Sequence, residues 1–163
     1  MPYWQLFYHI VWATRNREPL ISPDIEPIIF EFLRTKAIGL GAIVFALNGI
    51  SDHVHLVTSI PPTIAISKFT GQVKAVATVK FNQSGHPKAP LYWQEGFGAF
   101  SFDRKRLPYL IQYVEKQKTH HGTHTEIEVL ERIEGEGVKL IRETPNDYLS
   151  DFASWMEDLK RIG

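Results

Sequence analysis

The stretch "AIVFALNGISDHVHLVTSI", residues 42–60, holds two runs rich in β-branched and aromatic residues, separated by Ser51 and Asp52. Runs of that composition favour strands, and a tight connection between them makes a hairpin with strands at about 42–50 and 53–60. The pair Pro61–Pro62 ends the second run, because proline brings no backbone donor to a ladder. Side chains alternate across a strand, so His53 and His55 point to one face while Val54 and Leu56 point to the other. Two imidazoles on one patch suit either an exposed, water-satisfied pair or a metal site, and their spacing alone does not separate the two.

Working outward from the hairpin, residues 3–13 read as a strand of Tyr, Phe, Ile, Val and Trp, followed by a turn from Arg15 to Pro19. The segment "SPDIEPIIFEFLRTKAIGLG" reads as a helix with Ser22 as N-cap, Pro23 at its first position and Gly39 at its stop. Its stripe is Ile25, Ile28, Ile29, Phe32 and Leu33. A second helix over about 63–82 turns Ile66, Phe69, Val73 and Val76 inward, and the loop "QSGHPKAP" leads to a strand in "LYWQEGFGAFSF". In that strand Trp93, Phe97 and Phe100 suit packing. The order β-α-β-β-α-β predicts an α+β, ferredoxin-like sandwich with an antiparallel sheet and both helices on one face.

A further helix is expected at about 107–121, in "LPYLIQYVEKQKTHH". Leu107, Leu110, Ile111 and Val114 form its packing stripe, while Tyr113 and Gln117, four residues apart, share a flank that His120 extends. The residues alone allow either a phenol and an amide presented together for chemistry or an amphipathic helix with a partly buried tyrosine. Gly122 is a candidate flexible joint after it.

Of the 163 residues, 44% are hydrophobic and 12% aromatic, ample for a packed core. There is no cysteine, so disulfides and thiolate metal sites are excluded and a reducing cytoplasm is the expected compartment. The N-terminus carries no secretory leader or membrane-length apolar stretch, so a soluble protein with no membrane partner is expected. The formal charge of zero divides unevenly. Residues 1–121 hold 13 basic and 8 acidic residues, a net of +5, and residues 122–163 hold 5 and 10, a net of −5. The division predicts a main domain over 1–121 and an acidic C-terminal extension over 122–163 that covers a basic surface or stabilises a dimer. Basic clusters at Arg15 and Arg17, at Lys68, Lys74 and Lys80, and at Arg104, Lys105 and Arg106 suit either a solvated face or a nucleic-acid partner.

The segments "LNGISDHVHLV", "LYWQEGFGAFSF" and "YVEKQKTHH", in this order, resemble the single-tyrosine transposases of the HUH endonuclease superfamily, including relatives associated with repetitive palindromes. The opening "YHIVWATRNREPLI" is similar to that family's first strand and turn, and the resemblance spans about residues 3–121. It implies that His53-Val54-His55 is the His-hydrophobic-His motif, that Tyr113 is the nucleophile, and that Gln117 joins the histidines as a metal ligand. The family often has asparagine before the glutamine, where this chain has Lys116.

The resemblance further implies a divalent ion, Mg or Mn, although imidazoles alone favour Zn or Ni. It implies single-stranded DNA with a hairpin as substrate, a 5′-phosphotyrosine intermediate with a free 3′-OH, and a homodimer in which the tyrosine helix acts on the other copy's histidines. Candidate DNA contacts are Arg15, Arg17, Lys74, Arg104, Lys105, Arg106 and His120. Asp52 is either an accessory acid beside the histidines or only part of the hairpin turn. The alternative functions are a domesticated hairpin-DNA-binding protein without transposition activity and an unrelated metal-binding ferredoxin-like module.

Overall fold

The computed structural model describes residues 3–86, 89–133 and 157–161. Most of the acidic tail, residues 134–156 with the start of "PNDYLSDFASWMEDLKRIG", lies outside the described residues. Four strands, β1 (Phe7–Ala13), β2 (Ile43–Ile50), β3 (His53–Ser59) and β4 (Gly98–Phe102), form one antiparallel sheet in the order β2-β3-β1-β4. The hairpin stands where the sequence puts it. β1 lies between β3 and β4, and Ile10, Val11, Trp12 and Ala13 are all buried, as a central strand covered on both faces must be.

Helices α1 (Glu26–Gly39) and α2 (Ile66–Gln83) cover one face. Ile10, Trp12, Val54 and Leu56 of the sheet meet Ile29, Leu33, Phe69, Val73, Ala77 and Phe81 there in one apolar cluster, the ferredoxin-like sandwich expected from the element order. Some boundaries differ. Ser22 does not cap α1; its carbonyl instead closes a turn by accepting from Ile25 N and Glu26 N, and the helix starts at Glu26 with Pro27 in its first turn. Ala77 replaces Val76 on the buried face of α2, which runs Phe69, Val73, Ala77 and Phe81 at four-residue steps. Only the last five residues of "LYWQEGFGAFSF" form β4; Trp93 instead makes an isolated bridge to Thr14 and sets its ring edge-on against Trp12.

The opposite sheet face carries α3 (Leu107–Glu115), α4 (Gln117–Thr123) and α5 (Glu128–Glu131). The expected continuous helix over 107–121 is broken at Lys116, whose ψ of 17° leaves the helical range. Gly122 lies inside α4 rather than at a joint, and the chain turns at His124, in the left-handed region with φ 55°. Residues after that turn fold back over the sheet. Ile127, Leu130 and Leu159 join Val57, Leu110, Tyr113 and Val114 in a second apolar cluster. Gly98 permits this approach, because a Cβ there would meet the carbonyl oxygen of Arg132 at 1.8 Å. Leu130 is fully buried, so Leu130→Ala is expected to cost about 2–5 kcal/mol in chemical denaturation. A loss below about 0.5 kcal/mol, the range of surface substitutions, would mean that the fold-back segment is not packed in solution.

Candidate metal and tyrosine centre

The site lies on this second face, at the end of the sheet where β3 begins. Asp52 is held by its backbone, its carbonyl accepting from Thr14 N at 2.8 Å and from Thr14 Oγ1 at 3.1 Å. Its carboxylate is therefore placed to accept from His53 Nδ1 at 2.7 Å, so Asp52 both closes the turn and stands beside the histidine. Ala13 opposite His53 and Val11 opposite His55 keep the facing positions small. His9, opposite Val57, is the diagonal neighbour of His55, and the two rings meet at 2.8 Å between His9 Nε2 and His55 Nδ1.

Glu131 joins the two halves of the site. Its Oε2 lies 3.0 Å from His55 Nε2 and 3.3 Å from His53 Nε2, and its Oε1 accepts from Tyr113 Oη at 2.5 Å. Tyr113 Oη also accepts from Ile127 N at 3.0 Å, and His120 stacks on the phenol ring with centroids 4.8 Å apart. Tyr113 is fully buried, not presented on a flank, because the segment after His124 covers it. Gln117 is also fully buried; its Nε2 donates to Tyr113 O at 3.5 Å, and its Oε1 finds no hydrogen-bond partner among the described residues. His121 adds a further imidazole, its Nδ1 2.9 Å from Glu126 Oε1 and its Nε2 3.7 Å from Glu131 Oε2.

Electrostatics follow this packing. Burial, with the adjacent carboxylate of Glu131, raises the Tyr113 phenol well above its ordinary range, so it is held neutral. Burial would raise Glu131, but the adjacent imidazoles of His53 and His55 and the hydrogen bond from Tyr113 outweigh it and keep the carboxylate charged. For His53 burial opposes the charge, and the hydrogen bond to Asp52 with the nearby Glu131 carboxylate overcomes it, raising its pKa. His55 is lowered by burial from 6.5 to about 4, and burial also holds His9 well below its ordinary value.

A pH dependence of the metal-free protein follows. Between pH 6.5 and about 4 the unfolded chain takes up a proton at His55 that the folded chain refuses, so stability falls as pH is lowered through this window. His9 acts in the same direction. His53, raised on folding, acts oppositely: its contribution is complete below its unfolded value and fades as pH rises through its folded one. The buried pair is expected to dominate, and calorimetry should show the melting temperature falling from pH 6.5 toward 4. A flat profile would mean that the pair is not buried and neutral.

The candidate DNA contacts divide. Arg15, Arg17, Arg104 and Lys105 are exposed, but the two clusters sit at opposite ends of the sheet, since Phe7 pairs with Phe102 while Arg15 follows the far end of β1. Arg17 lies on the histidine side, near enough to lower the Asp52 carboxyl, and the Arg15 guanidinium stands 4.5 Å over the Tyr92 ring. Arg106 is tied to Asp103. Lys74 is turned inward, donating to Gln94 O at 2.8 Å and Gly96 O at 2.9 Å, and His120 is buried against Tyr113; neither offers the free surface expected of a phosphate contact. Sequence reasoning missed His9, His121 and Glu131. The period-two pattern of β1 could have put His9 on the face of Val11, but no local signal marked Glu131.

Among the described residues no helix is long and apolar enough to cross a membrane. Compared with known proteins, residues 2–117 match the family described as "Transposase IS200 like". The chain is 26% identical over 119 residues to ISDra2 transposase TnpA of Deinococcus radiodurans, covering 70% of this chain and 85% of that protein. It is 24% identical over 99 residues to the transposase for insertion sequence element IS200 of Salmonella typhimurium, covering 58% and 65%. Two solved structures share the fold. A putative transposase from Deinococcus radiodurans aligns with TM-score 0.58 and 22% identity over 72% of this chain and 95% of that one. A REP-associated tyrosine transposase bound to a REP hairpin aligns with TM-score 0.57 and 14% identity over 75% of each. His121 and Glu131 lie beyond the matched segment. With the family match spanning the sheet, both sandwich helices, the histidine pair and the tyrosine helix, the chain belongs to the IS200-like transposase family.

Proposed function

We propose that this transposase cleaves and rejoins single-stranded DNA at hairpin-marked ends, with Tyr113 as nucleophile and His53, His55 and Gln117 as metal-binding residues. The observation that carries this is the meeting of the Tyr113 hydroxyl and both histidines on one carboxylate, Glu131. The residues fit a divalent ion, since the buried His53 Nε2 and Gln117 Oε1 lack hydrogen-bond partners among the described residues and Asp52 fixes the other nitrogen of His53. When bound, such an ion would polarise the scissile phosphate and offset charge developing on its oxygens.

The chain's own groups perform the rest. Tyr113 Oη forms a bond to phosphorus as the P–O3′ bond breaks, its proton leaves through the hydrogen bond to Glu131, and the departing 3′ oxygen takes a proton from solvent. The 5′ phosphate stays on Tyr113, so the bond energy is retained and the 3′-OH can later reverse the step without a nucleotide cofactor. Arg15 and Arg17 flank the histidine end and suit phosphate contacts, and exposed Tyr92 beside Arg15 offers a stacking surface for an unpaired base. The neighbour bound to a REP hairpin supports a hairpin substrate.

The test is incubation of the protein with 5′- or 3′-labelled hairpin oligonucleotides and Mg or Mn. A covalent adduct that carries the 3′ label, the downstream fragment joined through its 5′ phosphate to Tyr113 as mapped by mass spectrometry, is the expected result; hairpin binding without an adduct would sink it. One observation favours a second reading, a hairpin-binding protein without transposition activity: Tyr113 is sealed beneath Ile127 and Glu131. Hairpin binding by the full chain with no adduct at any metal concentration would establish that reading.

A further inference from the structure

We infer that in the DNA-free protein His121 and Glu131 join His53 and His55 as ligands of a four-donor transition-metal site that fastens the C-terminal extension to the sheet, positions that Gln117 and the scissile phosphate take over when DNA binds. The inference rests on the metal-binding reading of the histidine pair and extends it beyond the family-matched residues 2–117. One donor atom from each of the four residues lies within 4.8 Å of all the others. Glu131 Oε2 is central, at 3.0, 3.3 and 3.7 Å from the Nε2 atoms of His55, His53 and His121. In a tetrahedral site with bonds of about 2.0–2.1 Å, neighbouring donors stand roughly 3.3–3.4 Å apart, so Glu131 Oε2 is already at ligand spacing from His55 and His53 while donors up to 4.8 Å apart must draw together on binding.

The second nitrogen of each imidazole is held. His53 Nδ1 is held by Asp52 at 2.7 Å, His121 Nδ1 by Glu126 at 2.9 Å, and His55 Nδ1 by His9 at 2.8 Å. A carboxylate or a second imidazole on Nδ1 turns each ring so that Nε2 faces inward. With an ion bound, the His55 proton would sit on Nδ1 and be donated to His9, freeing the Nε2 lone pair that otherwise faces Glu131 as an N–H donor. The Nε2 atoms of His53 and His121 are buried and make no hydrogen bond among the described residues. Inward-facing imidazole nitrogens around a partly buried carboxylate are an arrangement that a dication satisfies. Gly98 independently fits this design, since any side chain there would collide with the Arg132 carbonyl, one residue beyond Glu131.

Three imidazoles and one carboxylate select a class of ion. Mg prefers oxygen donors and holds its water, whereas Mn, Co and Zn accept imidazole with affinity rising in that order toward Zn. The expectation is tight Zn and Co binding, weaker Mn binding and negligible Mg binding by the free protein.

The experiment uses the full chain, stripped of metal and titrated with Co(II) alone, then with Zn(II), Mn(II) and Mg(II) in competition. Wild type should bind one Co(II) with the intense visible absorption of a four-coordinate site. Glu131→Gln, which keeps the side chain's shape, and His121→Ala, at a half-buried position, should each weaken binding by at least ~10-fold and dim that absorption, and Glu126→Gln should do so by about 10-fold. Circular dichroism on the same samples checks that each variant is folded. If Glu131→Gln and His121→Ala bind Co(II) like wild type while His53→Ala does not, the four-ligand site is overturned and the histidine-pair reading stands. If wild type binds no ion at all, both fall.

Discussion

Tyr113→Phe is expected to reduce covalent adduct formation on hairpin DNA to below about a thousandth of wild type, the order of loss when a nucleophile is removed. Tyr109→Phe should form the adduct normally. The two tyrosines are one helical turn apart, but Tyr109 is partly exposed whereas Tyr113 is buried with its hydroxyl on Glu131. Phenylalanine retains the ring that stacks on His120 but leaves Glu131 Oε1 and Ile127 N without their partner, so the variant should lose about 1–3 kcal/mol of stability. Hairpin affinity, measured by gel shift below the melting transition, separates this loss from the chemical one and should hardly change. Mixing Tyr113→Phe with His55→Gln protein distinguishes attack within one chain from attack across a dimer. The single-chain geometry predicts no recovery of adduct. An adduct recovered on mixing would mean that the tyrosine helix is exchanged between copies, and an adduct persisting in Tyr113→Phe alone would assign the chemistry to another residue.

Loss of either motif histidine is expected to be nearly as severe. His53→Ala or His55→Ala should lower cleavage by about 10²–10³-fold or more, the scale of removing transition-state charge stabilisation. Binding of the hairpin should stay within about threefold, because phosphate contacts supply most of the affinity. The two differ in their structural cost. His53 stands at the start of β3 with Asp52 on one side, while His55 is fully buried against His9, and its removal strands the His9 ring. His55→Gln, which can still reach His9, is therefore the cleaner variant for activity. Full cleavage by a folded His53→Ala protein would remove the pair from the mechanism.

How much of this was legible without the tertiary structure follows from the range of the interactions concerned. The hairpin could be read because strand composition and a two-residue break are local, and the common face of His53 and His55 follows from the alternation of the backbone itself. The burial of Phe69, Val73, Ile29 and Leu33 follows equally from helical periodicity. Errors arose where a neighbour decides. The α2 stripe runs through Ala77 rather than Val76, at four-residue steps from Phe69 to Phe81, because the way the helix lies on the sheet, and not its own composition, selects the buried face. Lys74, read as part of a basic cluster, turns inward because the loop at 94–96 offers it two carbonyls. That Glu131 of the acidic extension would reach the histidines could not be read, because net charge carries no information about where a single carboxylate ends up.

The sequence by itself determined the element order, the sandwich class, the paired histidines of β3 and the helical character around Tyr113 and Gln117, all set by patterns within one or two turns of chain. Only the tertiary structure decided which groups those residues meet. Sheet register puts His9 diagonally against His55 across 46 positions of sequence. The reversal at His124, seated by the absence of a side chain on Gly98, brings Glu131 across 76 positions to His55 and seals the Tyr113 hydroxyl. Local periodicity specifies the face a side chain occupies; its partner across that face is selected by long-range packing, which has no short repeat to read.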